Sequence, residues 1–167
     1  MSLESVKQWL ETNAPDLRLI EVEESTATVE AAAKALGVEA GQIAKTLAVR
    51  AGDHLFLLVT RGNARLDNRK CKDEFGVRPR MLGFDETFEL TGHPVGGVCP
   101  FGLATPLQVY CDISLKPFEE VVPAAGSTHS ALRISPARMA ELVEAEWVDV
   151  CDAYLPDGGG SGSTSQR

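Results

Sequence analysis

Thirteen consecutive residues constrain this chain more than any other stretch: Thr91-Gly92-His93-Pro94-Val95-Gly96-Gly97-Val98-Cys99-Pro100-Phe101-Gly102-Leu103. Four glycines and two prolines in so short a run exclude the interior of a helix or a strand. Gly96-Gly97 lets the backbone take positive φ and approach a ligand closely, because no Cβ stands in the way. Pro100 fixes its own φ and drives Cys99 toward an extended conformation. The expectation is a stiff loop with N–H groups free to face an acceptor, as in a phosphate nest or an oxyanion hole. The plainer alternative is a tight turn between two strands.

The elements around this loop follow from local patterns. Leu3, Val6, Trp9 and Leu10 form an apolar stripe that predicts a helix over 2–12, with Ser2 or Ser5 as its cap. A strand is expected over 17–22. A second helix is expected over 29–36, capped by Thr26 or Thr28 and stopped by Gly37. The runs 45–50 and 54–60 flank Ala51-Gly52-Asp53 and predict an antiparallel hairpin. Asp67 and Gly76 bound a third helix, and residues 84–90 form a short fourth that feeds the glycine loop. Further strands are expected over 108–112, 121–123, 131–134 and 147–150, the second held to an edge by Pro123. Ser135-Pro136 opens a last helix, reaching about residue 144. Strands and helices mix without a βαβ rhythm. The expected class is α+β, a mixed, mainly antiparallel, barrel-like sheet with flanking helices.

A chain of 167 residues with 44% apolar and 24% charged residues fits one globular domain, expected over 1–155. The Gly/Ser-rich remainder, 156–167, cannot bury a core and is expected to be a disordered tail. No apolar run suits a membrane span, and the first residues lack the pattern of a secretory signal. Four scattered cysteines with no C-x-x-C pair give no expectation of a metal, and they suit reduced thiols in the cytoplasm. The net charge of −8 opposes general nucleic-acid affinity. One stretch runs against it: residues 61–80 hold seven basic residues and three acidic, a local net charge of +4. Arg61, Arg65, Arg69 and Lys70 are the candidates there for a phosphate-binding patch, the alternative being a solvated helix face.

Three motifs occur in order: Ile43-Ala44-Lys45-Thr46-Leu47, Val95-Gly96-Gly97-Val98-Cys99-Pro100-Phe101-Gly102, and Ala125-Gly126-Ser127-Thr128-His129-Ser130. Together they resemble the YbaK/prolyl-tRNA synthetase-associated domain family over roughly residues 2–152. The resemblance implies a free-standing trans-editing enzyme that hydrolyses the ester bond of mischarged aminoacyl-tRNA, typically tRNA(Pro) bearing a small wrong amino acid. It implies prolyl-tRNA synthetase as a partner, no DNA or membrane partner, no cofactor, and an essential lysine at Lys45. The chain departs from the family in having Cys99 where Ser is frequent, and a thiol is the poorer hydrogen-bonding group.

Ester hydrolysis needs a placed water, a site for the developing oxyanion and a grip on the substrate. Lys45 and the Gly97 backbone are the expected catalytic groups, Lys45 acting by its charge and not as a nucleophile. Gly96, Val98, Cys99, Pro100, Gly102, Gly126, Ser127 and His129 are the expected substrate-binding residues. His93 and Asp112 read as structural. Two other readings stay open. One is a cysteine hydrolase using Cys99 with His93 or His129 on a small ester or amide. The other is a module that holds aminoacyl-tRNA or a synthetase without chemistry.

Overall fold

The computed structural model describes residues 2–152, so the expected tail at 156–167 lies outside the described residues. The helices are α1 (Ser2–Asn13), α2 (Val29–Leu36), α3 (Asn68–Phe75), α4 (Phe84–Thr91) and α5 (Pro136–Leu142). The strands are β1 (Ile20–Glu21), β2 (Ile43–Ala51), β3 (His54–Arg61), β4 (Arg80–Met81), β5 (Gln108–Asp112), β6 (Val122–Pro123), β7 (Ser130–Ala131) and β8 (Glu146–Val148).

Capping chemistry sets most helix ends. Thr28, Asp67 and Ser135 accept N–H bonds from Ala31, Lys70 and Arg138 at the starts of α2, α3 and α5. Gly37, Gly76 and Gly92 end α2, α3 and α4 in the left-handed region. Ser2 is not a cap. It lies within α1, and its hydroxyl reaches the Gly126 carbonyl and His93 Nδ1, both at 2.5 Å.

The class is α+β with a mixed sheet. β2 and β3 form the expected hairpin, pairing from Ala51↔His54 to Ala44↔Arg61 across a two-residue turn. β4 joins β2 antiparallel, whereas β6 lies parallel to β2, and β5 and β8 continue parallel beyond β3. β1 and β7 make a separate two-stranded antiparallel ladder. Most of the expected strands over 17–22 and 131–134 are therefore irregular chain. Isolated bridges Val121↔Ile134 and Ala124↔Ala131 hold the second of them in place.

Alternate residues of the hairpin enter two cores. Ala44, Ala48, Leu57 and Val59 pack with α1, α5 and Phe101 of the glycine loop. Val49, Ala51, Phe56 and Leu58 pack with Cys71 of α3, Val148 and Val150. With both faces covered, β3 reads as an unbroken apolar run, as buried strands do.

An interruption along one edge of β2 opens the sheet. β6 pairs with its residues 43–44 and β4 with its residues 49–50, so between them the strand has no partner on that side. The Leu82 N–H donates to the Ala48 carbonyl at 3.0 Å, which fixes the direction in which Ala48 points. Carbonyls two residues apart in a strand point the same way, so the main-chain groups of Thr46 face the gap.

Candidate active site

A cavity of about 370 Å³ occupies that gap. Its floor is β2 from Ile43 to Ala48, and its sides come from the start of α2, from Met81 to Thr87, from Val122 and Ala131, and from the glycine loop. The walls are chiefly apolar. Of the hydroxyl residues among them, two stand out: Thr26 Oγ1 and Thr46 Oγ1 are buried and make no hydrogen bond among the described residues. Unpaired buried hydroxyls are uncommon, and they leave hydrogen-bonding capacity at the wall of an otherwise greasy hollow.

Lys45 lines the cavity as the third residue of β2, and its Nζ donates to the Ala64 carbonyl at 2.9 Å. Burial holds its ammonium below the ordinary 10.5; Arg65 adds to the depression and Glu30 opposes it. Arg65 is thus close enough for its charge to bear on Lys45, although it does not line the cavity.

Of the glycine loop, Val95, Gly96 and Val98 line the cavity. Gly96 has φ +97°, and a Cβ there would meet Ala27 Cβ at 3.1 Å and Thr128 Cγ2 at 3.3 Å. The N–H groups of Val95, Gly96 and Val98, the three loop residues at the cavity, make no hydrogen bond among the described residues, so each is available as a donor.

Gly97 does not fit the role expected of it. Its N–H donates to the Pro94 carbonyl at 2.8 Å, and its carbonyl accepts from the Gly126 N–H at 3.0 Å. A Cβ at Gly97 would lie 2.8 Å from three backbone atoms of Ser127. Gly97 is therefore a packing glycine that lets two loops meet, and its N–H is not available to an oxyanion. Gly102 and Gly126 are of the same kind. A Cβ at Gly102 would strike the Ser5 carbonyl at 2.7 Å, and one at Gly126 the Ser2 carbonyl at 2.9 Å. Both have positive φ and both let α1 dock.

The other expected contacts also lie outside the cavity. Pro100 is buried. Gly102, Gly126 and Ser127 border a second, shallower cleft with Phe88. Ser127 Oγ is 2.7 Å from Ser130 Oγ. His129 is exposed, with Nδ1 3.0 Å from the Glu24 carbonyl, and it does not line the cavity. Arg61 is only 7% exposed, with its guanidinium over the Phe118 ring and Nε donating to Asn63, so it offers no surface to a phosphate. Lys70 is held by Asp149 at 3.0 Å and the Cys151 carbonyl at 2.9 Å, while Arg65 and Arg69 are exposed. Asp112 is structural as expected, its carboxylate accepting from the Val150 and Ser114 N–H groups. The threonine hydroxyls are the feature that sequence reasoning missed, since nothing local distinguishes Thr26 or Thr46 from a surface threonine.

The cysteine hydrolase reading is overturned. Cys99 Sγ lies 3.6 Å from His93 Nε2, but both residues are fully buried and neither lines the cavity. Burial pushes the thiol up to about 12 and holds the imidazole below its usual range. His93 Nε2 is 2.8 Å from the Phe101 carbonyl, so it carries the proton and cannot accept one from sulfur. All four cysteines are buried thiols. None is expected to react with an aromatic disulfide in the native protein, and all four should react after unfolding. Rapid labelling of Cys99 in the native state would contradict this arrangement.

Comparison with known proteins agrees with this geometry. Residues 23–142 match the model of the aminoacyl-tRNA editing domain. The chain belongs to that family. As an editing domain it is 46% identical over 157 residues to the uncharacterized protein YwhH of Bacillus subtilis, covering 90% of this chain and 98% of that one. It is 32% identical over 117 residues to a proline–tRNA ligase of Shouchella clausii, matching 69% of this chain and 20% of the ligase. A crystal structure described as that of a candidate trans-editing enzyme for prolyl tRNA synthetase superposes with a TM-score of 0.83 at 35% identity, over 91% of this chain and 98% of that one. Among the described residues of the editing domain, no helix is long and apolar enough to cross a membrane.

Proposed function

We propose that this domain hydrolyses the ester bond of mischarged aminoacyl-tRNA, with tRNA(Pro) carrying a small non-cognate amino acid as the substrate. The observation that carries the reading is a half-buried lysine, Lys45, on the wall of a small apolar cavity floored by an open strand edge. At about 370 Å³ the cavity is in the usual range for a small-molecule site and has room for an aminoacyl group. The ester carbonyl would sit near the free N–H groups of Gly96 and Val98, and water would attack it. Negative charge on the carbonyl oxygen would be met by these donors and by the Lys45 ammonium in a site of low polarity. The proton lost by water would pass to the departing ribose hydroxyl as the ester bond breaks. No side chain acts as a nucleophile. Prolyl-tRNA synthetase, whose relatives contain a matching segment, is the proposed source of the mischarged substrate.

The test is a deacylation panel of tRNA(Pro) charged with alanine, serine, cysteine and proline. Turnover of a small non-cognate ester with the prolyl ester spared is the expected result; indifference to all four would end the reading.

The tRNA body requires phosphate contacts outside the cavity; Arg65, whose charge bears on Lys45, and Arg69 four residues further on are both exposed. Replacing both with Ala should weaken tRNA binding and reduce the slope of log K against log salt by roughly one for each phosphate that is no longer neutralised. An unchanged slope would place the tRNA on another face.

A further inference from the structure

Phe84 is 76% exposed, Met81 61% and Phe88 54%, the three most exposed large apolar residues of the described chain. A phenylalanine this open is unusual for a soluble domain, and here two of them and a methionine fall within the eight residues 81–88. Phe84 and Phe88 are spaced i, i+4 on α4, so they stand on one face of the helix, about one turn apart along its axis. Met81 and Phe84 form part of the cavity wall, and Phe88 borders the second cleft. The aromatic pair therefore runs from the rim of the proposed aminoacyl site across the surface.

We infer that Phe84 and Phe88 form a stacking platform for the unpaired bases at the 3′ end of the charged RNA, with the terminal base on Phe84. This rests on the editing reading: the amino acid in the cavity is esterified to the terminal ribose, so the base of that nucleotide must lie at the rim. Exposed aromatic rings bind unstacked bases through their faces, with little demand on base identity. The charges around α4 point to bases and not phosphates. Asp85 and Glu89 are exposed carboxylates beside the two rings, and Glu86 is paired with Arg50. These acids repel a phosphate chain from the helix itself. Arg78 and Arg80, exposed just before Met81, supply cations beyond the apolar stripe where the phosphates would fall.

The test compares Phe84→Ala, Phe84→Leu and Phe84→Trp in deacylation of mischarged tRNA(Pro). Alanine and leucine should each raise KM by roughly tenfold or more with kcat little changed, and tryptophan should restore wild-type KM. Leucine keeps the apolar bulk, so a wild-type KM for Phe84→Leu would reduce the site to a greasy contact and overturn the stacking. A binding measurement separates this inference from the editing reading. In Phe84→Trp, intact uncharged tRNA(Pro) should quench the added fluorescence relative to the parent with its native Trp9 and Trp147. The same tRNA lacking its 3′-terminal adenosine should not. Equal quenching by both tRNAs would overturn the platform. If no ester is cleaved yet the difference in quenching persists, the platform stands and the proposed chemistry falls. If Phe84→Ala instead changes the oligomeric mass and leaves KM alone, the stripe is a contact between copies of the chain and the inference is wrong.

Discussion

Lys45→Met is expected to lose most ester hydrolysis, on the order of 10²–10³ in kcat/KM, while the protein stays folded. The methionine keeps the length and packing of the side chain and removes only the charge and the bond to the Ala64 carbonyl. Near wild-type turnover in this variant would remove Lys45 from the mechanism. The pH dependence gives an independent check. Burial lowers the lysine's pKa, so the cation is lost below the ordinary 10.5. Activity that needs the ammonium should therefore fall as pH rises through that lowered value, and the alkaline limb should disappear in the residual activity of Lys45→Met. Stability should move the other way. Between the lowered folded value and 10.5 the unfolded chain holds more protons on this residue, so its contribution to stability rises with pH in that window. Below both values the cost of burying the charge is constant.

The second large effect belongs to Gly97. Gly97→Ala should act on folding before it acts on chemistry. The added methyl would sit 2.8 Å from the backbone N, C and O of Ser127, where no side chain can swing aside. Separating the 94–97 turn from the 126–130 loop also threatens the bond from the Gly126 N–H to the Gly97 carbonyl. Overpacking of this kind typically costs ~1–3 kcal/mol, and more where backbone must move. In a domain of this size each kcal/mol lowers Tm by about 2–4 °C. Calorimetry on the purified variant would show it. A Gly97→Ala protein with wild-type Tm and no activity would instead return Gly97 to the catalytic role expected from sequence.

That reversal shows where sequence reading stops. A glycine announces that a Cβ is missing, not what occupies its place. At Gly96 the missing atom leaves room at a cavity wall; at Gly97, Gly102 and Gly126 it leaves room for another stretch of backbone. Features governed by neighbours in sequence were legible: the caps Thr28, Asp67 and Ser135, the stops Gly37 and Gly76, and the turn at Gly52-Asp53. The parallel ladders of β5, β6 and β8 were not, because pairings across long separations leave no local trace. Arg61 reads as one cation in a basic run, yet it ends β3 with its guanidinium turned inward onto Phe118. Lys45 was legible only in company. A lysine near a strand start is commonplace, and it was the accompanying motifs that singled it out.

The gap along β2 has one more consequence. An unpaired strand edge is an invitation to any other strand, and proteins that leave one open risk joining edge to edge. Here β6 and β4 close the two ends of the opening, while α2 and the glycine loop wall its sides. What remains is a slot too short for a foreign strand to register along it but wide enough for the few atoms of a small molecule. The same interruption that would make a sheet sticky is thereby walled off as a cavity.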